Sequence, residues 1–254
     1  MPEKLQMTTL GEVAGNLGQI LRGRAQLWEN ARFVLAQVPL KREEVKRILP
    51  CGLWPSEPAI GTLFIANYTK TSFTAPYKES ALLINVRTLL GSGVHCCWMV
   101  VDNDDTALIY GRELLGYPKK LAQITFEETD NHVSASVSRR GIKLLSLDAD
   151  KGEKQSSPAP IFDQKTFNAG GMGQFFLLNP VWLFRPREVI KESFSAKVSM
   201  KLSESEYDPI ARLVSGEPTN GRIAVIDIPG SRYNLPVGIA GPRFFNNTFY
   251  MRFR

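Results

Sequence analysis

The chain has 254 residues, enough for one large domain or two small ones. Its 43% hydrophobic and 22% charged residues are the proportions of an ordinary globular protein, which argues against general disorder. The net charge of +6 is scattered through Lys41 to Arg47, Arg139-Arg140 and Arg243 to Arg254, a weak field that suits a small anionic substrate; no basic helix or binding motif supports nucleic-acid recognition.

The opening residues, Met1-Pro2-Glu3-Lys4, lack a charged segment followed by an apolar one, so no secretory leader is expected. Leu10, Val13, Leu17, Ile20 and Leu21 fall at helical spacing within residues 1–30, predicting a peripheral helical extension or an oligomer contact, with glycines interrupting it. Arg42 to Leu49 reads as a short amphipathic helix stopped by Pro50.

Strand patterns dominate from there: Thr62 to Tyr68, Ala81 to Leu89, Val94 to Val101, Leu121 to Phe126, His132 to Val137 and Ile142 to Leu147. Later runs at Gln174 to Leu178, Val181 to Phe184, Ala196 to Leu202 and Ile223 to Ile228 extend the series, and Asp150 to Gln164 reads as a polar surface loop. Short spacing between strands predicts an antiparallel meander in one domain over residues 1–254, and the absence of alternating helices argues against a doubly wound nucleotide fold.

The longest apolar run, Val94 to Val101, is too short to span a bilayer. Three cysteines, two of them the neighbours Cys96 and Cys97, suggest neither a disulfide framework nor a zinc site, so a reducing cytoplasm is the expected location. His95 in the same run reads as a satisfied core histidine, and Trp98 and Met99 as candidates to line an apolar substrate pocket. The glycine-rich stretch Asn168 to Gly173 lacks a phosphate-loop lysine and reads as a turn.

The most telling stretch is Gly111-Arg112-Glu113-Leu114-Leu115-Gly116-Tyr117-Pro118-Lys119-Lys120-Leu121, which sets two adjacent lysines inside an apolar run. A lysine in apolar surroundings loses hydration of its ammonium, so its pKa falls and the neutral amine, a nucleophile toward carbonyls, becomes available. A useful amine fraction at neutral pH requires a fall of about 3 units from the reference value, which burial can supply. Adjacent strand residues point to opposite faces, so Lys120 is expected to have a lesser or indirect influence on Lys119. Alternation alone does not say which lysine faces a site: Lys120 shares its side with Ala122, Ile124 and Phe126, Lys119 with Leu121, Gln123 and Thr125.

This motif closely resembles the active-site segment of the acetoacetate decarboxylase family, and Pro76-Tyr77-Lys78-Glu79 ahead of the apolar strand Ala81 to Val86 is similar to that family's acid-bearing strand. The resemblance implies a mostly β, α+β fold whose barrel encloses the active site, a homo-oligomer, and a β-keto acid as the anionic substrate. It also implies Schiff-base chemistry with no metal, pyridoxal or thiamine cofactor. By the match Lys119 is the nucleophile, and Glu79 fits three tasks: orienting the amine, moving a proton to the enamine carbon, or holding the hydrolytic water. Lys120, Glu113 and Arg112 take supporting places, the last two by an ion pair that braces the turn.

Two departures from the family pattern bear on the substrate. The family's decarboxylases carry a further buried glutamate on the strand before the Glu79 equivalent, whereas Gly61 to Asn67 holds no acid and Phe64 or its neighbour occupies that place. Arg32 lies near the expected arginine but is displaced by one residue, which on a strand puts it on the opposite face. Schiff-base decarboxylation therefore stands beside two rivals: a lysine-dependent aldolase or dehydratase on the same fold, and a noncatalytic carbonyl-ligand binding protein.

Overall fold

Alternating buried residues along the strands make two apolar faces, and both faces are covered. The computed structural model describes residues 27–102, 105–171, 173–175 and 178–254. The expected helix from Leu10 to Leu21 lies outside the described residues. Among those described, the chain runs β1 (Trp28–Pro39), α1 (Arg42–Ile48), β2 (Trp54–Pro55), β3 (Ile60–Tyr68), β4 (Lys70–Thr71), β5 (Tyr77–Thr88), β6 (Gly91–Val101) and α2 (Asp105–Glu113). It continues through β7 (Lys119–Leu121), β8 (Gln123–Glu128), β9 (His132–Arg139), β10 (Ile142–Lys154), β11 (Thr166–Ala169), β12 (Asn179–Leu202), a 3-10 turn (Pro209–Arg212), β13 (Asn220–Ala240) and α3 (Pro242–Phe253). The protein is mostly β with three helices among the described residues.

Strands β11, β6, β5, β3, β1, β13 and β12 pair in that order, and β11 also pairs with β12, so the sheet closes on itself. Most pairings are antiparallel, as the short strand spacing predicts; the exceptions are the parallel contacts of β6 with β7 and with β11. Beyond the ring, β12 continues into a second layer made with β10, β9 and β8.

One face of the ring strands gathers Phe33 and Leu35 of β1, Phe64 and Tyr68 of β3, Tyr77 and Ala81 of β5, and Cys96 and Met99 of β6 into one apolar cluster. This is the inner face. The opposite face of the same strands packs under β8 to β10 and against α1 and α3, with Val34, Ile65, Leu82 and Trp98 meeting Ala135, Leu147, Val45 and Phe244. Both faces being buried, the ring strands read as near-continuous apolar runs rather than as strict alternation.

Several expected boundaries change. The run Leu121 to Phe126 is two strands, because the chain leaves β6 after Leu121 and pairs with β9 from Gln123 onward. Of the run Gln174 to Leu178, Phe175 and Leu178 form an isolated bridge. The runs Val181 to Phe184 and Ala196 to Leu202 belong to the single strand β12, whose charged middle is held by pairing with β13 through several bulges. Ile223 to Ile228 falls within the first half of β13. The Asp150 to Gln164 loop begins as strand, since β10 runs to Lys154, and it is not wholly superficial: Ala159, Ile161 and Phe162 are buried in the inner cluster. Strand β1 and helices α2 and α3 were not expected.

Candidate active site

The motif sits where α2 hands over to β7. Gly116 adopts a left-handed φ of 70° and turns the chain, its N–H donating to the Arg112 carbonyl at 3.3 Å while the Tyr117 N–H donates to Gly111 at 3.0 Å. A side chain at Gly116 would meet the backbone of Gly170 at 2.9 Å, so only glycine serves there. Pro118 then leads into β7, which pairs in parallel with β6 so that Lys119 stands opposite Met99.

Across β6 on its other side, Ala81 of β5 is also paired with Met99, and Glu79 lies one pleat further along β5 on the same inner face. Two strand spacings, about 9.6 Å, separate β5 from β7, a gap that an extended lysine and a glutamate close together. Lys119 Nζ lies 2.6 Å from Glu79 Oε2, and both side chains are 7% exposed.

The surroundings of this pair are aromatic. The Tyr68 hydroxyl donates to Glu79 Oε1 at 3.4 Å, and the Lys119 ammonium lies 5.5 Å from the centroid of the Tyr77 ring. Tyr77 is itself held by the Trp28 indole N–H, which donates to its hydroxyl at 3.1 Å. Burial, reinforced by the Glu79 charge, pushes the Tyr68 phenol well above its ordinary range; burial does the same to the Cys96 thiol and the Tyr117 phenol. These neighbours stay protonated at neutral pH.

The second lysine points the other way. Lys120 Nζ bonds to Asp208 Oδ1 and donates to the backbone carbonyls of Tyr250 at 3.1 Å and Tyr207 at 3.4 Å. Asp208 also accepts the Trp98 indole N–H at 2.9 Å and an Arg139 N–H at 2.8 Å. Burial lowers the Lys120 pKa to about 8, with Asp208 opposing that fall, whereas at Asp208 the two cations and the indole outweigh burial and hold the carboxyl below its usual value. The ammonium groups of the two lysines thus face opposite sides of β7, as strand alternation predicts.

The remaining candidates divide between the faces. Phe64 and Met99 lie on the inner face with Lys119. Trp98, the strand neighbour of Met99, lies on the outer face; a bulge in β6 between the residues paired with Leu82 and Leu83 leaves Cys97 unpaired and shifts the phase so that Met99 is the inner one, and Trp98 as a lining residue of a pocket shared with Met99 is corrected accordingly. Arg32 is likewise outside: it pairs with Glu128 at 2.6 Å, is 46% exposed, and borders an open cleft of about 600 Å³ with Asn67, Phe126 and Lys191. Arg112 braces the motif, donating to the Lys119 carbonyl at 3.0 Å, but the expected ion pair with Glu113 is not formed; Glu113 is exposed and has no ion-pair partner among the described residues. His95 is the satisfied core histidine expected, with Nδ1 2.7 Å from the Phe167 carbonyl and its pKa lowered to about 4 by burial.

Sequence reasoning did not single out Tyr68, Asp208 or Arg139. The signal for Tyr68 was available, since it shares the period-2 face of Phe64 on β3. Asp208 lies in a polar segment, Ser203 to Asp208, whose composition announces only a loop. Among the described residues, no cluster of His, Cys, Asp and Glu is suited to a metal ion, and no helix is long and apolar enough to cross a membrane.

Comparison with known proteins places this site in context. The family described as acetoacetate decarboxylase (ADC) matches residues 18–230. An acetoacetate decarboxylase 2 of Mesorhizobium japonicum is 34% identical over 109 residues, a match covering 42% of this chain and 40% of that relative. An acetoacetate decarboxylase of Burkholderia vietnamiensis is 27% identical over 206 residues, covering 77% of this chain and 82% of that one. In fold, the crystal structure of acetoacetate decarboxylase from Legionella pneumophila superposes with a TM-score of 0.74 at 16% identity, covering 85% of this chain and 88% of the other. The enduracididine biosynthesis enzyme MppR, complexed with pyruvate, superposes with a TM-score of 0.68 at 12% identity, covering 80% of this chain and 88% of the other.

Proposed function

The chain belongs to the acetoacetate decarboxylase family, and from that premise we propose that it is a Schiff-base-forming enzyme acting on a β-keto acid. The observation that carries this reading is the Lys119 nitrogen 2.6 Å from the Glu79 carboxylate in an apolar, aromatic enclosure.

Glu79 takes a proton from the Lys119 ammonium, and the free amine attacks the ketone carbon. Glu79 returns the proton to the departing hydroxyl, water leaves, and a protonated imine remains. The carboxylate of the substrate then departs as carbon dioxide, the electrons of the broken carbon–carbon bond moving into the imine to give an enamine. A proton from water, relayed by the now ionised Glu79, adds to the enamine carbon, and hydrolysis of the resulting imine releases a methyl ketone and the lysine. The enclosure favours this course because loss of carbon dioxide turns a zwitterionic imine into a neutral enamine, a change promoted by exclusion of water. No step calls on a metal or organic cofactor.

A second reading is supported by the placement of Arg32 on the outer face, which leaves the keto acid carboxylate without that arginine beside Lys119. The same imine serves an aldolase or dehydratase, and a structure of MppR is described as a complex with the condensation product of pyruvate and imidazole 4-carboxaldehyde. Incubation with acetoacetate and other keto acids, with carbon dioxide release measured beside condensation with an added aldehyde, separates the two. Carbon dioxide release that requires Lys119 upholds decarboxylation; Lys119-dependent condensation with no carbon dioxide release selects the second reading, and the absence of both products refutes both.

A further inference from the structure

The motif contains a degeneracy that the fold has to remove. Lys119 and Lys120 are chemically identical neighbours on a strand of three residues, and each face of that strand offers a buried carboxylate, Glu79 inside and Asp208 outside. A slip of β7 by one residue against β6 would exchange the two lysines between the faces. A three-residue strand has little pairing of its own to oppose the slip, and Leu121, the third residue, is half exposed and adds little weight to either arrangement.

Asp208 connects the two strands at this point. Its carboxylate accepts the indole N–H of Trp98 on β6 and at the same time bonds Lys120 on β7, on the side away from Glu79. It also holds Arg139, whose Nε donates to the Leu121 carbonyl at 3.0 Å and so grips the end of β7. The loop that presents Asp208 is set by Ser205, whose hydroxyl oxygen accepts the N–H groups of Tyr207 and Asp208, both at 3.2 Å. The carboxylate is 1% exposed and its cationic partners reach it from separate elements.

We propose that Asp208 is a positioning residue: by pegging Lys120 and Arg139 to Trp98 it sets the register of β7 and thereby selects Lys119 as the lysine presented to Glu79. This rests on Lys119 being the nucleophile of the proposed function. Lys120 has the role of a register anchor: the outer acid ties it to two further elements through Trp98 and Arg139, whereas the further partner of the inner acid is the Tyr68 hydroxyl.

The test is the ratio of Lys119 to Lys120 labelling by acetoacetate and borohydride, mapped by peptide mass spectrometry on the folded fraction. Wild type, Asp208→Asn and Arg139→Gln are compared. Asp208→Asn removes the charge but keeps the shape; Arg139→Gln removes the grip on Leu121 and leaves the Lys120 pair in place, so it serves if the first variant does not fold. Loss of folding alone changes the amount of labelled protein, not the ratio within folded molecules. The ratio is expected to fall at least tenfold in Asp208→Asn and by less in Arg139→Gln. An unchanged ratio in the folded variants, whatever the overall rate, overturns the inference, whereas wild type left unlabelled overturns Lys119 as nucleophile and the inference with it.

Discussion

Gly111 is the place where the packing around Lys119 can be perturbed with the least damage elsewhere. It lies in α2, and a Cβ added there would collide with the Lys119 side chain, meeting Cδ at 2.6 Å and Nζ at 3.0 Å, with Cε closer still. In Gly111→Ala the helix gains about 1 kcal/mol from the better helix former. Overpacking costs about 1–3 kcal/mol, so net stability is expected to fall by no more than roughly 2 kcal/mol. The effect on chemistry is larger. Relief of the clash moves the lysine chain by about 1 Å, a displacement that costs on the order of a hundredfold in rate when it misaligns an attacking group. Thermal unfolding and the rate of borohydride trapping with acetoacetate, measured on the same preparation, give the two numbers. A folded Gly111→Ala protein that traps substrate within twofold of the wild-type rate would refute the argument that this contact holds the Lys119 nitrogen in place.

Two other predictions follow from buried ionisable groups. Glu79→Gln is expected to lower turnover by about 10²–10⁴, the usual worth of a positioned acid or base. It also leaves the Lys119 ammonium without its 2.6 Å partner, at a cost of roughly 3–5 kcal/mol, whereas Glu79→Gln with Lys119→Met recovers most of that stability by removing both charges. Wild-type kinetics in folded Glu79→Gln across pH would show the carboxylate to be a bystander. His95, buried and neutral with a pKa near 4 against an unfolded value of 6.5, binds fewer protons folded than unfolded between those values. Its contribution to stability is therefore full above about 6.5 and is lost as pH falls through about 4, amounting to about 3 kcal/mol. Denaturation of His95→Asn and wild type over that range should show a shallower acid loss in the variant; parallel curves would contradict the assignment.

The sequence pattern locates most of the ring because its strands are rich in β-branched and aromatic residues, as in Thr62 to Tyr68 and Val94 to Val101. It hides the middle of β12, where Arg185 to Glu192 is held by pairing with β13 and not by apolar burial. Helix α3 is hidden by its aromatic and asparagine content, although Phe244, Thr248 and Met251, all buried, mark one helical face. At the site, one residue of displacement puts Arg32 on the outer face; alternation already bars the neighbours Trp98 and Met99 from sharing a face, whereas the β6 bulge at Cys97, which is not readable from composition, decides that Met99 is the inner one. Alternation cannot choose between the lysines because the strand ends at Leu121: Ile124 and Phe126 belong to β8 and carry no information about the faces of β7. Asp208 lies 88 residues from Lys120 in sequence, so their pairing is a product of the tertiary fold.

The central claim is that the Lys119 amine forms the imine. Treatment with acetoacetate and sodium borohydride, digestion and mass mapping of every lysine-containing peptide tests it directly, with Lys119→Met as the control. The account predicts a reduced adduct on Lys119 that disappears in the variant. Labelling of Lys120 alone, or even labelling of the exposed lysines with Lys119 unmodified, would contradict it.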